Sequence, residues 1–285
     1  MKHYLLTASL AILICSVSTA STTGPHPVTL ETKDGIAIQG WYIHPGSHQV
    51  VDEENQKYFA EYPAVVLLHM FRGSKEDWGP LFGEFFTRDI AALAIDMRGH
   101  GQSTAGLDGA DLSKLVRKRD EELFKAMWQD AAAAVDWLVA KGHKRERIAI
   151  VGASVGCSVA IDCARRDPAI RVVATLSPGA NYLGVDTLSH LQDWGDRSLL
   201  IVSSEGEWVR GAKKIHDLLE KQSMNDEVDG NQSQHTELWL LDGTGGEVHG
   251  TYMFGKVQNM PTRLTDWLEE QLSVSDAPKE QHAIE

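Results

Sequence analysis

Cysteine, positive charge and long hydrophobic runs are all scarce in this chain of 285 residues. Three cysteines are too few for a disulfide-built scaffold, and 27 lysine and arginine residues against 40 aspartate and glutamate give a net charge of −13. A nucleic-acid-binding surface needs clustered positive charge, so we expect no nucleic-acid partner. With 42% hydrophobic residues, the composition is that of a globular protein large enough to bury its own core.

One apolar run stands out near the start of the chain, from Leu5 to Val17, just after Lys2. It is short for a membrane span, and the small residues Ser18 and Ala20 follow it, as signal peptidase requires. We therefore expect residues 1–20 to be a signal peptide and the protein to be periplasmic or secreted. We expect no stable membrane insertion after cleavage; the alternative is an uncleaved anchor.

Two cysteines, Cys157 and Cys163, remain after cleavage. Both fall on one predicted helix, where six residues correspond to about 9 Å along the axis and to different faces. That separation is too large for a disulfide, so we expect two free, buried thiols even in an oxidising compartment.

Short apolar runs alternate with helical patterns along most of the chain. A hairpin is predicted over Val28–Tyr42, and the later runs predict strands buried on both faces: Ala64–Leu68, Ala91–Ile95, Arg147–Val151, Val172–Leu176, Leu199–Val202 and Leu238–Leu241. Helices are predicted between and after them: Trp78–Arg88, Asp120–Ala140, Ser154–Arg166, Val209–Lys221 and Met260–Leu272. This alternation predicts an α/β protein with a mainly parallel central sheet flanked by helices.

Residues 21–273 form a single predicted domain. Ser223–His235 is polar and is interpreted as a loop, and residues 274–285 are interpreted as a disordered tail.

The candidate nucleophile is Ser154, at the centre of the G-x-S-x-G pentapeptide of residues 152–156. The pentapeptide lies between a predicted strand and a predicted helix, where its glycines leave room for a sharp turn that exposes the hydroxyl. Val155 N–H lies at the helix start, where amides have no helical partner and can stabilise an oxyanion. The pentapeptide alone is equally compatible with a turn that carries no chemistry.

A serine nucleophile needs a base, and the base needs an acid to orient it. His249 lies in a glycine-rich loop after the last predicted strand, where it can reach Ser154. The loop after strand Leu199–Val202 offers Glu207 as the acid, with Glu205 as second choice. Asp242, after the next strand, is third.

A second oxyanion donor is expected in the loop after the first buried strand, His69–Gly73. Phe71 N–H is the candidate, and Met70 is the second choice. The glycine-rich turn Asp96–Ser103 is expected to lie beneath the site. Two of its side chains are interpreted as structural or as lining the site, Arg98 and His100.

Together these motifs resemble the α/β-hydrolase family. The chain order Ser154, Glu207, His249 matches the family's Ser…acid…His order, and D-M-R-G-H-G-Q-S is similar to its D-x-R-G-x-G-x-S turn. H-M-F-R-G resembles its H-G-x-x-G oxyanion loop, with Met70 at the usual glycine; glutamate in place of the commoner aspartate is a second departure. The resemblance spans roughly Val28–Leu272 and is closest to members without a cap, the dienelactone-hydrolase-like and serine-aminopeptidase-like proteins.

The resemblance implies an α/β-hydrolase fold and acyl transfer through a covalent intermediate, with no cofactor and no metal. His249 takes the proton of Ser154, the amides of Val155 and Phe71 stabilise the oxyanion, and water then releases the acyl group. We expect an exported serine esterase acting on a small-molecule ester. The alternatives are a peptidase or amidase with the same triad, or a non-catalytic binding protein that kept the fold.

The substrate cleft is expected to be open. Leu176 and Leu199 are only 23 positions apart, which leaves no room for a large cap, and Thr104–Lys118 is the other possible lid element. The expected lining residues are aromatic: Phe71, Trp78, Tyr182, Trp208 and Tyr252.

Overall fold

Eight strands form one central sheet in the computed structural model, which describes residues 24–45, 62–229 and 235–274. The strands of this sheet are β1 His26–Glu31, β2 Ala37–Ile43, β3 Ala64–Leu68, β4 Ala91–Ile95, β5 Ile148–Ala153, β6 Val172–Leu176, β9 Ser198–Ser204 and β10 Thr236–Leu241. A separate small hairpin consists of β7 Asn181–Tyr182 and β8 Val185–Asp186.

The strand order in the sheet is β1-β2-β4-β3-β5-β6-β9-β10. β1 and β2 form the predicted antiparallel hairpin, β2 pairs antiparallel with β4, and the remaining strands are parallel. Every residue of β3 to β6 is buried, as expected for continuous apolar runs covered on both faces. The predicted mainly parallel α/β sheet is therefore confirmed.

Helices cover both faces of the sheet. One hydrophobic cluster joins the sheet to α2 Ser113–Lys118, α3 Glu121–Lys125, α4 Trp128–Ala140, α5 Val155–Arg166 and α8 Ala212–Asp229. A second cluster joins the opposite face to α1 Gly79–Thr87, α9 Met253–Lys256 and α10 Met260–Val274. Alternate strand residues serve the two clusters, since Val66 belongs to the first and Val65 to the second.

Two predicted helices are corrected. The helix predicted over Asp120–Ala140 is divided, because the hydrogen bonds around Ala126 tighten from i→i−4 to i→i−3, as in Met127 N–H to Phe124 O at 3.1 Å. Residues three apart eclipse in such a turn, which lets both Phe124 and Met127 face the core.

The second correction concerns α8, which begins at Ala212 and not at Val209, and continues to Asp229. Its sequence has no glycine or proline before Gly230, so nothing ends the helix at Lys221. The loop predicted over Ser223–His235 is therefore wrong for its first half.

Within residues 24–45, 62–229 and 235–274, no large cap covers the carboxyl ends of the strands. Between β6 and β9 the chain forms only the β7–β8 hairpin and α6 Thr187–His190, and Thr104–Lys118 contributes a 3-10 turn and the short α2. In the part of the chain that the structure describes, no helix has the length and hydrophobicity to cross a bilayer. The predicted signal peptide lies outside the described residues, as does the predicted tail from residue 275 onward.

Candidate active site

The turn between β5 and α5 holds Ser154 in a left-handed conformation, with φ of 53°. A side chain at Gly152 would place its Cβ 2.2 Å from Gly156 O, and one at Gly156 would lie 2.3 Å from Leu68 O, so both positions require glycine. Ser154 N–H donates to Leu176 O at 2.9 Å, which ties the turn to β6. A strained, non-glycine residue at a strand end is a mark of functional geometry.

The loop that carries His249 is held against the same turn. Gly250 has φ of 53°, and a Cβ there would lie 3.2 Å from Met70 Sδ and 3.4 Å from the Cβ of Ala153, the neighbour of Ser154. The loop after β10 and the turn after β5 therefore meet at the carboxyl edge of the sheet.

The acid bonded to His249 is Glu207, on the short helix α7 Glu205–Trp208 that follows β9 directly. His249 Nδ1 and Glu207 Oε1 are 2.7 Å apart. Glu205 instead accepts the Gly243 N–H at 2.9 Å, and Asp242 is exposed with no recorded bond to His249 among the described residues.

Two serines support Glu207, and neither was singled out from the sequence. Ser204 Oγ donates to Glu207 Oε2 at 3.3 Å, while Ser177 bonds the Glu207 carboxylate and accepts the Gly250 N–H at 3.0 Å. Burial alone would raise the pKa of Glu207, but the bonds from His249, Ser177 and Ser204 lower it below its usual value. The only sequence signal for Ser177 is its position directly after β6, at the edge where functional loops lie.

The Tyr182 hydroxyl interacts with the side chain of Ser154. Its β7–β8 hairpin turns through Leu183 and Gly184, both with positive φ. Burial raises the pKa of Tyr182, and the interaction with Ser154 offsets this only in part, so the phenol stays protonated. No hydrogen bond joins Ser154 to His249 among the described residues; such bonds commonly tighten only when substrate binds.

The loop after β3 is fixed by His69. Met97 N–H donates to His69 Nε2 at 3.0 Å, which leaves His69 Nδ1–H to donate to Met70 O at 2.7 Å. Gly73 N–H donates to the same carbonyl at 2.8 Å. Burial lowers the pKa of His69 to about 3, so the ring is neutral and can accept this bond.

Two backbone N–H groups near Ser154, those of Phe71 and Val155, have no hydrogen-bond acceptor among the described residues. The peptide group is planar and trans, so anchoring Met70 O points the Phe71 N–H in the opposite direction. Neither Phe71 N–H nor Val155 N–H donates to any described residue. Gly156 packs against His69 O, which brings the start of α5 beside this loop.

Of the aromatic residues predicted to line the site, Trp78 does not do so, and that prediction is wrong. It is fully buried and packs against Phe254 at 5.7 Å between ring centroids, because it lies on the face of the sheet covered by α1 and α10. Phe71, Tyr182 and Trp208 are half-buried, and Tyr252 is exposed.

The other predicted residues near the site have structural contacts. Arg98 forms ion pairs with Asp34 and the buried Asp130, at 2.7 and 2.8 Å. His100 is buried against the rings of His69 and Phe124.

Cys157 and Cys163 both lie on α5, buried and free, as predicted. Burial raises the pKa of both thiols, and Cys157 Sγ donates to Gly152 O, so both are inert core groups. Within the described ranges, no three His, Cys, Asp or Glu side chains converge as metal ligands would.

Comparison with solved structures finds the same fold in several hydrolases. An esterase from Pyrococcus furiosus is 19% identical, with a TM-score of 0.60 over 87% of this chain and 93% of its own. A putative α/β hydrolase of unknown function from Agrobacterium tumefaciens is 19% identical, with a TM-score of 0.60 over 89% and 100%. A predicted CIB-like hydrolase from Thermoplasma acidophilum is 16% identical, with a TM-score of 0.57 over 86% and 98%.

At these low identities, the structural similarity shows the fold alone. The family follows from the comparison of sequences. Comparison with curated proteins gives no match. The sequence profile described as "Serine aminopeptidase, S33" matches residues 61–226, which is more than half of the chain and includes β3 to β9 and Ser154. The protein therefore belongs to the α/β-hydrolase family, among the members grouped with serine aminopeptidase S33.

Proposed function

We propose that this hydrolase is an exported serine esterase that cleaves carboxylic esters through a Ser154–His249–Glu207 triad. The observation that carries the proposal is the 2.7 Å bond between His249 Nδ1 and Glu207 Oε1, at the strand edge where Ser154 occupies a strained turn. That bond fixes the tautomer in which Nε2 is free to accept the serine proton.

The proposed reaction begins with attack of Ser154 Oγ on the ester carbonyl while His249 takes its proton. The free N–H groups of Val155 and Phe71 are the proposed donors to the tetrahedral oxyanion. His249 then protonates the departing alcohol, and a water activated by the same ring hydrolyses the acyl-enzyme. Ser177 and Ser204 keep the Glu207 carboxylate ionised and oriented.

A fluorophosphonate probe tests the nucleophile. The mature protein should be labelled, and the Ser154→Ala variant should not. Hydrolysis of p-nitrophenyl esters from acetate to octanoate would then measure the length of the acyl pocket. A folded wild-type protein that takes no label would favour the non-catalytic binding protein.

An amide-cleaving enzyme is the second candidate, because the matching family profile is described as serine aminopeptidase. Each p-nitrophenyl ester should be compared with the p-nitroanilide of the same acid, and an aminoacyl p-nitroanilide should be included. Faster turnover of the anilide than of its ester would replace the esterase by a peptidase or amidase.

Export is proposed from the N-terminal sequence alone. Expression of the full chain in a secreting bacterial host, followed by mass spectrometry of the released protein, tests it. The expected N-terminus is Ser21; an intact Met1 in the membrane fraction would indicate an uncleaved anchor.

A further inference from the structure

A cavity of about 420 Å³ opens beside the proposed triad, on the side of its acid. The loop of residues 177–182 forms one wall, and the other wall contains Glu207, Arg210, Gly211 and Lys214. Gly211 is packed against the first wall, since a Cβ there would lie 2.6 Å from Pro178 O. The two walls therefore meet at Gly211, and the cavity between them is partly open to solvent.

The cavity adjoins the site of reaction through two of its lining residues. Tyr182 lines the cavity, and its hydroxyl interacts with Ser154. Glu207 lines it as well and bonds His249. A substrate whose carbonyl lies at Ser154 therefore has this cavity as its neighbour on the side of Tyr182 and Glu207.

The charges at the cavity are unusual for this acidic chain. Arg210 and Lys214 both line it, both are exposed, and neither has an ion-pair partner among the described residues. By contrast, the neighbouring Lys213 points elsewhere and pairs with Asp217 at 2.6 Å. The one carboxylate that lines the cavity, Glu207, already accepts bonds from His249 and Ser204.

We propose that this cavity binds a carboxylate, so that the enzyme prefers esters carrying a negative charge on one side of the scissile bond. The inference rests on the proposed esterase function and adds its substrate class. Two cations without partners offer charge-assisted hydrogen bonds to a substrate carboxylate, and the surrounding negative charge of the protein repels that carboxylate elsewhere. The same cations repel the ammonium group of an aminopeptidase substrate.

Matched ester pairs test the proposal on each side of the bond. The p-nitrophenyl monoester of adipic acid is compared with p-nitrophenyl hexanoate for the acyl side. The acetyl ester of 3-hydroxybenzoic acid is compared with that of 3-hydroxybenzamide for the alcohol side. At low ionic strength, kcat/KM for one of the two charged esters should exceed that of its neutral partner by about tenfold. The ester that is preferred identifies the side of the bond that the cavity binds. Salt at 0.5 M (roughly a 4 Å Debye length) should reduce the preference.

The double variant Arg210→Gln/Lys214→Gln should abolish that preference and leave the neutral esters within about twofold of wild type. Lys213→Gln is the control for Lys214, because it removes one exposed positive charge from the same helix, α8, but not from the cavity. The control should keep the preference. Equal kcat/KM for charged and neutral esters in wild type would overturn the proposal, and so would a preference that survives in the double variant.

Binding to the Ser154→Ala protein separates this proposal from the esterase proposal. Calorimetry should give a dissociation constant about tenfold lower for the preferred charged ester than for its neutral partner, and the double variant should lose the difference. Equal kcat/KM for charged and neutral esters would refute carboxylate binding in the cavity and would leave the esterase proposal standing. Absence of both labelling and turnover would refute the esterase. The ratio of the two dissociation constants would still test whether the cavity binds a carboxylate.

Discussion

The two sides of the site are built in different ways. The oxyanion side, His69–Gly73 with Asp96–Ser103, rests on buried groups: Lys75 Nζ donates to Asp96 Oδ2 at 2.7 Å, and both side chains are at most 2% exposed. The acid side, Ser177–Tyr182 with Glu205–Gly211, places Glu207 half-buried and Arg210 in water. One side is part of the core, and the other borders solvent.

Because of this difference, substitutions on the two sides should differ in their effects on stability and on activity. On the oxyanion side, Asp96 joins several groups at once: it also accepts the N–H groups of Lys75 and Gln102, both at 2.8 Å. Removing one group leaves the others buried without partners. At the solvent-accessible residues of the acid side, water can replace a lost partner, so substitutions of those residues should change activity far more than stability.

The largest expected effect is on the acid side. Glu207→Gln keeps the shape but loses the charge that stabilises protonated His249, so kcat should fall by about 10³- to 10⁴-fold. The free energy of unfolding should change by less than about 1 kcal/mol, because the substitution keeps the shape of the side chain and water reaches the site, where Glu207 is 23% exposed. Ester turnover and urea unfolding measure the two quantities. Among the described residues, the Glu205 carboxylate is hydrogen-bonded to Gly243 and not to His249, so Glu205→Gln should remain active; an inactive Glu205→Gln beside an active Glu207→Gln would exchange their roles.

The next effect belongs to the oxyanion side. Asp96→Ala leaves the buried Lys75 ammonium without its main partner, so the free energy of unfolding should fall by about 3–5 kcal/mol. Lys213→Gln breaks an exposed ion pair and should cost less than about 0.5 kcal/mol. Urea unfolding of both variants tests the comparison; similar losses would mean that burial does not distinguish the two pairs.

The sequence predicts the sheet better than the helices around it. Continuous apolar runs such as Ala64–Leu68 and Ala91–Ile95 coincide with β3 and β4, since only a strand buried on both faces needs every residue apolar. Helix boundaries depend on tertiary packing. The break at Ala126 follows from burying both Phe124 and Met127, which the periodic pattern over Asp120–Ala140 does not reveal.

The same contrast holds within the site. Ser154 and its glycines can be predicted because the turn tolerates few residue types, and Glu207 follows from its place after β9. Ser177 could not be found, because a serine after a strand is common and its role depends on two loops meeting in space. Trp78 was misassigned because the sequence near a strand end does not tell which face of the sheet a ring will cover.

Ser177 lies where the acid side meets the core. Ser177→Ala leaves the buried Gly250 N–H without an acceptor and removes one bond to Glu207, so we expect a loss of about 1–3 kcal/mol in stability and about tenfold in kcat. Ser203→Ala is the control, since this buried hydroxyl donates to the Ser204 carbonyl and, among the described residues, has no bond to the triad. The control should lose stability without losing kcat. An equal fall of kcat in both variants would mean that Ser177 does not position the triad.

The smallest effect tests whether the acid side also orients the nucleophile. Tyr182→Phe keeps the aromatic ring but removes the hydroxyl that interacts with Ser154, so kcat should fall about five- to tenfold, as expected for one lost polar interaction. Because the ring remains, KM and the preference for charged esters should stay unchanged. Tyr252→Phe, at a phenol on an exposed side chain, should have no effect. A rise in kcat for Tyr182→Phe would instead mean that the phenol holds Ser154 away from His249 until substrate displaces it.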